Sequence, residues 1–190
     1  GSAGLIGAMV NIKSEMALDL ATCAGDHLLN QQSNDGSWQN TEINKRGILG
    51  FSHGTAGYAA SLARLHNWTG EERYLIGAQN ALSHERSCFD TEEQNWPDKR
   101  YENDTKFMTS WCHGAPGIAL GRACLWQTAA WDEQCIKEIE IAALTTAKYV
   151  KNIGSDNLCC GKLGMTTILE TLVDGPWGLE SSVSEICKQQ

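Results

Sequence analysis

The sequence predicts an all-α protein, a toroid or solenoid built from paired helices. Three observations predict it. A Gly-x-x-Gly pair recurs at Gly1/Gly4, Gly54/Gly57, Gly114/Gly117 and Gly161/Gly164, with 53, 60 and 47 residues between successive first glycines. Each pair opens a stretch with apolar residues at helical intervals, and uneven spacing of one motif marks a repeated unit with variable loops. No stretch alternates with the period of two that a half-buried strand requires.

The elements follow in order. Gly1 and Gly4 lead into Leu5 and Ile6, the opening of a first helix. Residues 16–29 carry apolar side chains at helical spacing, and residues 31–38 form a loop whose Asn34-Asp35-Gly36-Ser37 string is turn chemistry. Residues 57–66 form a helix through Tyr58, Leu62 and Leu65, closed by Asn67-Trp-Thr-Gly70 with Gly70 as the C-cap. Residues 71–84 form the next helix, with Ala78, Ala81 and Leu82 facing inward. Residues 90–106 are polar, contain Pro97 and form the longest loop. Helices over 117–128 and 135–150 follow, and Gly161/Gly164 lead into Met165. No linker interrupts this series, so residues 1–190 are read as one domain with repeats starting near 1, 54, 114 and 161.

Composition narrows the function. A net charge of −8 argues against a nucleic-acid binder, which needs a basic face. No apolar run reaches membrane-spanning length. Residues 1–10 are small and apolar but lack the basic leader and cleavage site of a signal peptide. Eight cysteines without an export signal point to reduced thiols in a cytoplasmic protein.

The candidate chemistry sits on the near side of the glycine pairs. Cys112 stands two residues before Gly114, and Cys159 and Cys160 stand immediately before Gly161. Three soft sulfur donors suit zinc, and three protein ligands leave a fourth position open, as in a catalytic site. Other readings stand beside this one. Cys112 could be a small buried hydrophobe, and Cys159-Cys160 a redox pair. His53 could cap a helix start, and His113 could support the site rather than act in it. His27, His66 and His84 read as structural or solvated. Cys23, Cys88, Cys124, Cys135 and Cys187 read as structural thiols.

Gly50-Phe-Ser-His-Gly-Thr-Ala-Gly57, Ser110-Trp-Cys-His-Gly-Ala-Pro-Gly-Ile118 and Leu158-Cys-Cys-Gly-Lys-Leu-Gly164 together resemble the lanthionine synthetase C-like cyclases. The likeness is closest to the cyclase domain of class II lanthipeptide synthetases, in the subgroup with Cys-Cys-Gly in place of Cys-His-Gly. It implies an α/α toroid, a double ring of helices with its active site where the inner helices begin. It implies a lanthionine-forming cyclase, in which a precursor-peptide cysteine thiol adds to dehydroalanine or dehydrobutyrine. By motif, the resemblance puts zinc on Cys112, Cys159 and Cys160 and an acid/base role on His53, with His113 also facing the site. An all-sulfur donor set is more negative than one containing histidine, and is expected to leave an added thiolate more electron-rich.

The resemblance also implies a larger whole. The chain reads as about half of the ring, opening at what looks like the second repeat. An aspartate that family members carry before that glycine, the closing repeats after Val173 and the dehydratase domain of the class II enzymes are not in this sequence. A basic residue expected shortly before the Trp-Cys motif is unmatched. Met108 is near that place, with Lys106 as the nearest cation. The partners implied are a dehydrated precursor peptide and a dehydratase domain on the parent chain. A half ring is expected to expose inner helix faces and to be weakly stable and weakly active. The alternative is a non-catalytic zinc- and thiol-binding relative of the same fold.

Overall fold

The structure is a computed structural model that describes residues 1–12, 14–39, 47–100, 106–179 and 181–188. Its helices are α1 (Ser2–Ile12), α2 (Glu15–Gln31), α3 (Thr55–Thr69), α4 (Glu72–Ser87), α5 (Ala115–Leu125), α6 (Glu133–Val150), α7 (Lys162–Val173) and α8 (Ser181–Lys188). α1, α3, α5 and α7 pack side by side in chain order. Behind them α2, α4, α6 and α8 pack against α1, α3, α5 and α7 respectively. The result is a double row of helices, the arrangement of an α/α toroid, whose front row consists of the helices that open at the glycine pairs.

The repeated glycines have one structural cause. The first glycine of the last three pairs is an N-cap without a side-chain cap bond. The second glycine lies against the carbonyl six residues earlier. A Cβ at Gly57, Gly117 or Gly164 would collide with the carbonyl of Phe51, Trp111 or Leu158 respectively. Each incoming loop therefore crosses directly over the first turn of its helix, and only glycine leaves room for the backbone to do so. Gly114 is further constrained by a φ of +82°, with the Met108 carbonyl where a Cβ would project. This crossing carries the residue before each motif to the mouth of the front row.

The expected helices are present, with shifted ends. The helix read as 117–128 spans Ala115–Leu125, because Trp126 leaves helical backbone and Gln127 takes a φ of +63°. α6 starts two residues before Cys135, where the Asp132 carboxylate accepts from the Cys135 N–H. Gly70 caps α3 in left-handed conformation and donates to the His66 carbonyl. The expected loop over 90–106 contains a short antiparallel pair, β1 (Pro97–Asp98) and β2 (Lys106–Phe107), too short to carry a period-two signal. Its 101–105 portion lies outside the described residues.

Two hydrophobic cores fill the space between the rows. One joins α5, α6, α7 and α8 through Ile118, Ile139, Met165 and Val183. The other joins α1 to α4 through Ile6, Leu28, Leu62, Leu65, Tyr74 and Leu82. Large apolar side chains remain exposed along the double row, among them Leu5 and Ile12 on α1, Ile76 on α4, Leu144 on α6 and Leu163 on α7. Among the described residues, no helix is long and apolar enough to cross a membrane.

Candidate metal and thiol site

The loops entering α3 and α5 touch through their backbones. Phe51 N donates to the Trp111 carbonyl at 3.3 Å, and a Cβ at Gly50 would strike the Cys112 carbonyl. This contact sets His53 beside His113, with ring centroids 6.4 Å apart. The loop entering α7 brings its own cysteines to the same edge. Cys112 Sγ lies 3.4 Å from Cys159 Sγ, across 47 residues of sequence.

That separation is too long for a disulfide, about 2.05 Å. Two sulfurs held about 2.3 Å from one tetrahedral zinc would stand about 3.8 Å apart, so the observed pair lies close to one edge of such a site. Cys160 is turned toward its own loop. Its N–H donates to Asn157 Oδ1 at 2.8 Å, and its Sγ lies 3.6 Å from the same oxygen. Among the described residues, no three His, Cys, Asp or Glu side chains are gathered around a common point as a ligand set. The Cys159 thiol is pushed up to about 11, first by its contact with Cys112, then by burial and by the charges of Cys112 and Cys160. Adjacent thiolates oppose one another's ionisation, and a cation among them reverses that penalty. The donor set of Cys112 and Cys159, with Cys160 as neighbour, fits a soft divalent ion.

A cleft of about 720 Å³ is lined by His53, Ser52, Tyr58, His113, His27 and Arg100, together with residues 1–4 at the start of the chain. None of the three cysteines lines it, and it is joined to them in sequence through His113, the neighbour of Cys112. His53 is exposed to it. Tyr58 lies under His53, its hydroxyl 3.4 Å from the His53 carbonyl and its ring edge-on to Trp38. His113 is nearly buried. Burial holds its pKa below the ordinary value, and the nearby charges of Arg100 and His53 act in the same direction against Asp98. Ser52 Oγ and His113 Nδ1 are both buried without a hydrogen-bond partner. Unsatisfied buried polar atoms are rare in folded proteins, and here both line one cleft.

Arg100 reaches this cleft by a route the sequence does not show. The β1–β2 hairpin places Asp98, 4% exposed, beneath it, and the two side chains make a two-pronged ion pair at 2.6–3.1 Å. Burial alone would raise the Asp98 carboxyl. The Arg100 side chain and N–H outweigh it and hold the carboxyl below its usual range. Asp98 Oδ1 lies 4.0 Å from His113 Nδ1. Arg100 Nη2 contacts Met108 Sδ at 3.5 Å, so Arg100 packs a cation against Met108. His27, read as structural or solvated, faces the same cleft from α2. Tyr58 had a legible position, directly after Gly57, whereas Arg100 and His27 carried no motif.

The profile of the lanthionine synthetase C-like protein family matches residues 1–175. The lacticin 481/lactococcin biosynthesis protein LcnDR2 of Lactococcus lactis subsp. lactis is 30% identical over 135 residues, which is 67% of this chain and 14% of that protein. The structure of nisin cyclase superposes with a TM-score of 0.67 at 18% identity, covering 90% of this chain and 49% of nisin cyclase. That likeness carries the fold, and this chain spans about half the length of nisin cyclase.

Proposed function

Because the chain belongs to the lanthionine synthetase C-like family, we propose that it forms part of a lanthipeptide cyclase. Its substrate is a dehydrated precursor peptide, presented after a dehydratase domain or enzyme has removed water from Ser and Thr. The thiol of a substrate cysteine adds across the double bond of dehydroalanine or dehydrobutyrine, forming a C–S bond with no leaving group. The names of LcnDR2 and nisin cyclase support this substrate class. The observation that carries the reading is the meeting of Cys112 and Cys159 at 3.4 Å, with His113, the residue after Cys112, beside His53 at a ring-centroid distance of 6.4 Å.

Cys112, Cys159 and Cys160 would hold zinc, with Cys160 swinging from Asn157 to complete the set. The bound ion would lower the pKa of a substrate thiol and keep it nucleophilic. His53, open to the cleft, exchanges the proton that leaves the thiol and returns to the enolate carbon. His113, buried and facing Asp98, holds the floor of the cleft in place beside it. Arg100 and the unpartnered Ser52 hydroxyl supply polar contacts for the peptide chain.

Metal analysis and a ring-closure assay test the proposal. The chain is expected to bind about one zinc, and Cys112→Ser or Cys159→Ser to lose most of it. Zinc-loaded chain is then incubated with a dehydrated, cysteine-containing peptide. Loss of free thiol without change of peptide mass supports cyclisation. Bound zinc with the thiol intact favours the non-catalytic thiol-binding alternative, and a chain that binds no zinc overturns the reading. His53→Asn should retain zinc and slow closure by roughly a hundredfold or more.

A further inference from the structure

The turn at Asn34-Asp35-Gly36-Ser37 is clamped against α4. Gln32 Nε2 donates to the Gly77 carbonyl at 2.9 Å and to the Gly36 carbonyl at 3.1 Å. Gly36 has a φ of +85°, and any Cβ there would collide with the Asn80 carbonyl. Inside the turn, Ser37 donates its N–H at 3.0 Å and its hydroxyl at 2.7 Å to Asp35 Oδ1. The other oxygen, Oδ2, is left 3.6 Å from Nδ1 of His84, one helical turn beyond Asn80. On the opposite side of that ring, Nε2 lies 3.7 Å from Cys88 Sγ, one further turn along. Carboxylate, imidazole and thiol thus succeed one another as orienting group, base and nucleophile.

We propose that Asp35, His84 and Cys88 form a second reactive-thiol site, apart from the Cys112–Cys159 pair, in which Cys88 is a modification site for soft electrophiles. The charged groups facing Cys88 are His84 on its own helix and Lys99 from the hairpin, with Asp35 acting through His84. The C-terminal end of α4 disfavours a thiolate but favours an imidazolium at His84. Burial would raise the Cys88 thiol, and His84 and Lys99 outweigh it, so the thiol sits below its ordinary value. Contact with Cys88 outweighs burial at His84, which sits above its own. Both shifts have the sign of a thiolate–imidazolium pair. Three buried or part-buried thiols contrast with it: burial pushes Cys124 and Cys187 up, and Cys135 up to about 11. Cys88 packs against the core but is partly exposed, so a small reagent can reach it.

The site is independent of the cyclase reading, and so is its test. Iodoacetamide is the probe: the Cys88 sulfur forms a bond to its methylene carbon, iodide leaves with the bonding pair, and any thiol proton passes to His84. The zinc-treated chain is labelled for short times, and each cysteine is quantified by peptide mass spectrometry. Near neutral pH Cys88 is expected to react about tenfold faster than the more exposed Cys23, and His84→Gln to slow Cys88 by about tenfold without changing Cys23, the effect of one pKa unit on thiolate fraction. Asp35→Asn should slow it by about two- to threefold, since its carboxylate acts through the ring. Should a variant fail to fold, the unsubstituted chain decides: the Cys88 rate should level off at lower pH when folded than in urea. Cys88 reacting more slowly than Cys23, or with the same pH profile folded and unfolded, overturns the proposal.

Discussion

Replacing Arg122 with methionine removes the cation from the most buried ion network among the described residues. Arg122 is fully buried, and its guanidinium bonds Glu85 Oε2 at 2.7 Å and Glu138 Oε2 at 2.5 Å. Glu85 also accepts from Thr55 Oγ1 at 2.5 Å, and its backbone carbonyl accepts from Trp96 Nε1 at 3.0 Å. The network therefore ties α3, directly behind His53, to α4, α5, α6 and the hairpin loop. Without Arg122, Glu138 keeps Arg86, which donates from Nε at 2.7 Å, whereas Glu85 keeps only the Thr55 hydroxyl. Leaving one buried charge uncompensated costs about 3–5 kcal/mol. For a chain of this size that corresponds to a melting-temperature fall of roughly 6–20 °C. Thermal and urea melts followed by circular dichroism measure it. The double variant Arg122→Met/Glu85→Met removes the stranded carboxylate and is expected to regain more than half the loss, because apolar replacement of a whole buried pair is often neutral. A single variant melting within about 2 °C of the parent, or a double variant melting below the single, would refute the account of Glu85 as the stranded charge.

Three further outcomes are expected. Gly114→Ala forces a side chain into left-handed backbone facing the Met108 carbonyl; it should cost about 2 kcal/mol or more and lower zinc content by displacing Cys112, as melts and metal analysis would show. Asp132 pairs with Arg86 at 2.8 Å, and its carboxyl is held down at about 2, chiefly by that guanidinium. A carboxylate with a depressed folded pKa stabilises fully above its unfolded value near 3.9 and loses that contribution as pH falls toward about 2. The pair is about half exposed on the Asp132 side, so the effect should stay under about 1 kcal/mol. Asp132→Asn keeps the helix cap and should flatten stability between about pH 4 and 2. Trp96→Phe deletes the donor to the Glu85 carbonyl and leaves a small void in the core under the hairpin, for a loss of about 1–3 kcal/mol by urea melt.

The repeat could be read without coordinates because its cause is local. A glycine six residues after a crossing carbonyl is required wherever the loop runs over its own helix start, so the motif recurs at Gly57, Gly117 and Gly164. Helix positions followed from apolar spacing, and Gly70 announced its cap. Ends were less legible: Leu125 closes α5 early because Trp126 packs against Trp131 instead of continuing the helix. At the candidate site, the residue types at 53, 112, 113, 159 and 160 were visible in the motifs. Arg100 was not, because its place comes from a hairpin whose strands are two residues long. Cys88 and His84, read as structural, looked alike in sequence to Cys135 and His66. They differ in the contact of His84 with Cys88 and in what the 33–37 turn and Lys99 lay beside them.

By itself the sequence determined the all-helical repeat, the family and the chemical kind of each residue at the repeat starts. All three depend on short-range steric demands and on side-chain identity, which a linear chain displays directly. Tertiary structure alone decided that Cys112 meets Cys159, that Asp98 aims Arg100 into the cleft of His53, and that Arg122 binds α5 to α4 and α6. Those relations join residues tens of positions apart, and they exist only once packing has fixed the direction in which each side chain points.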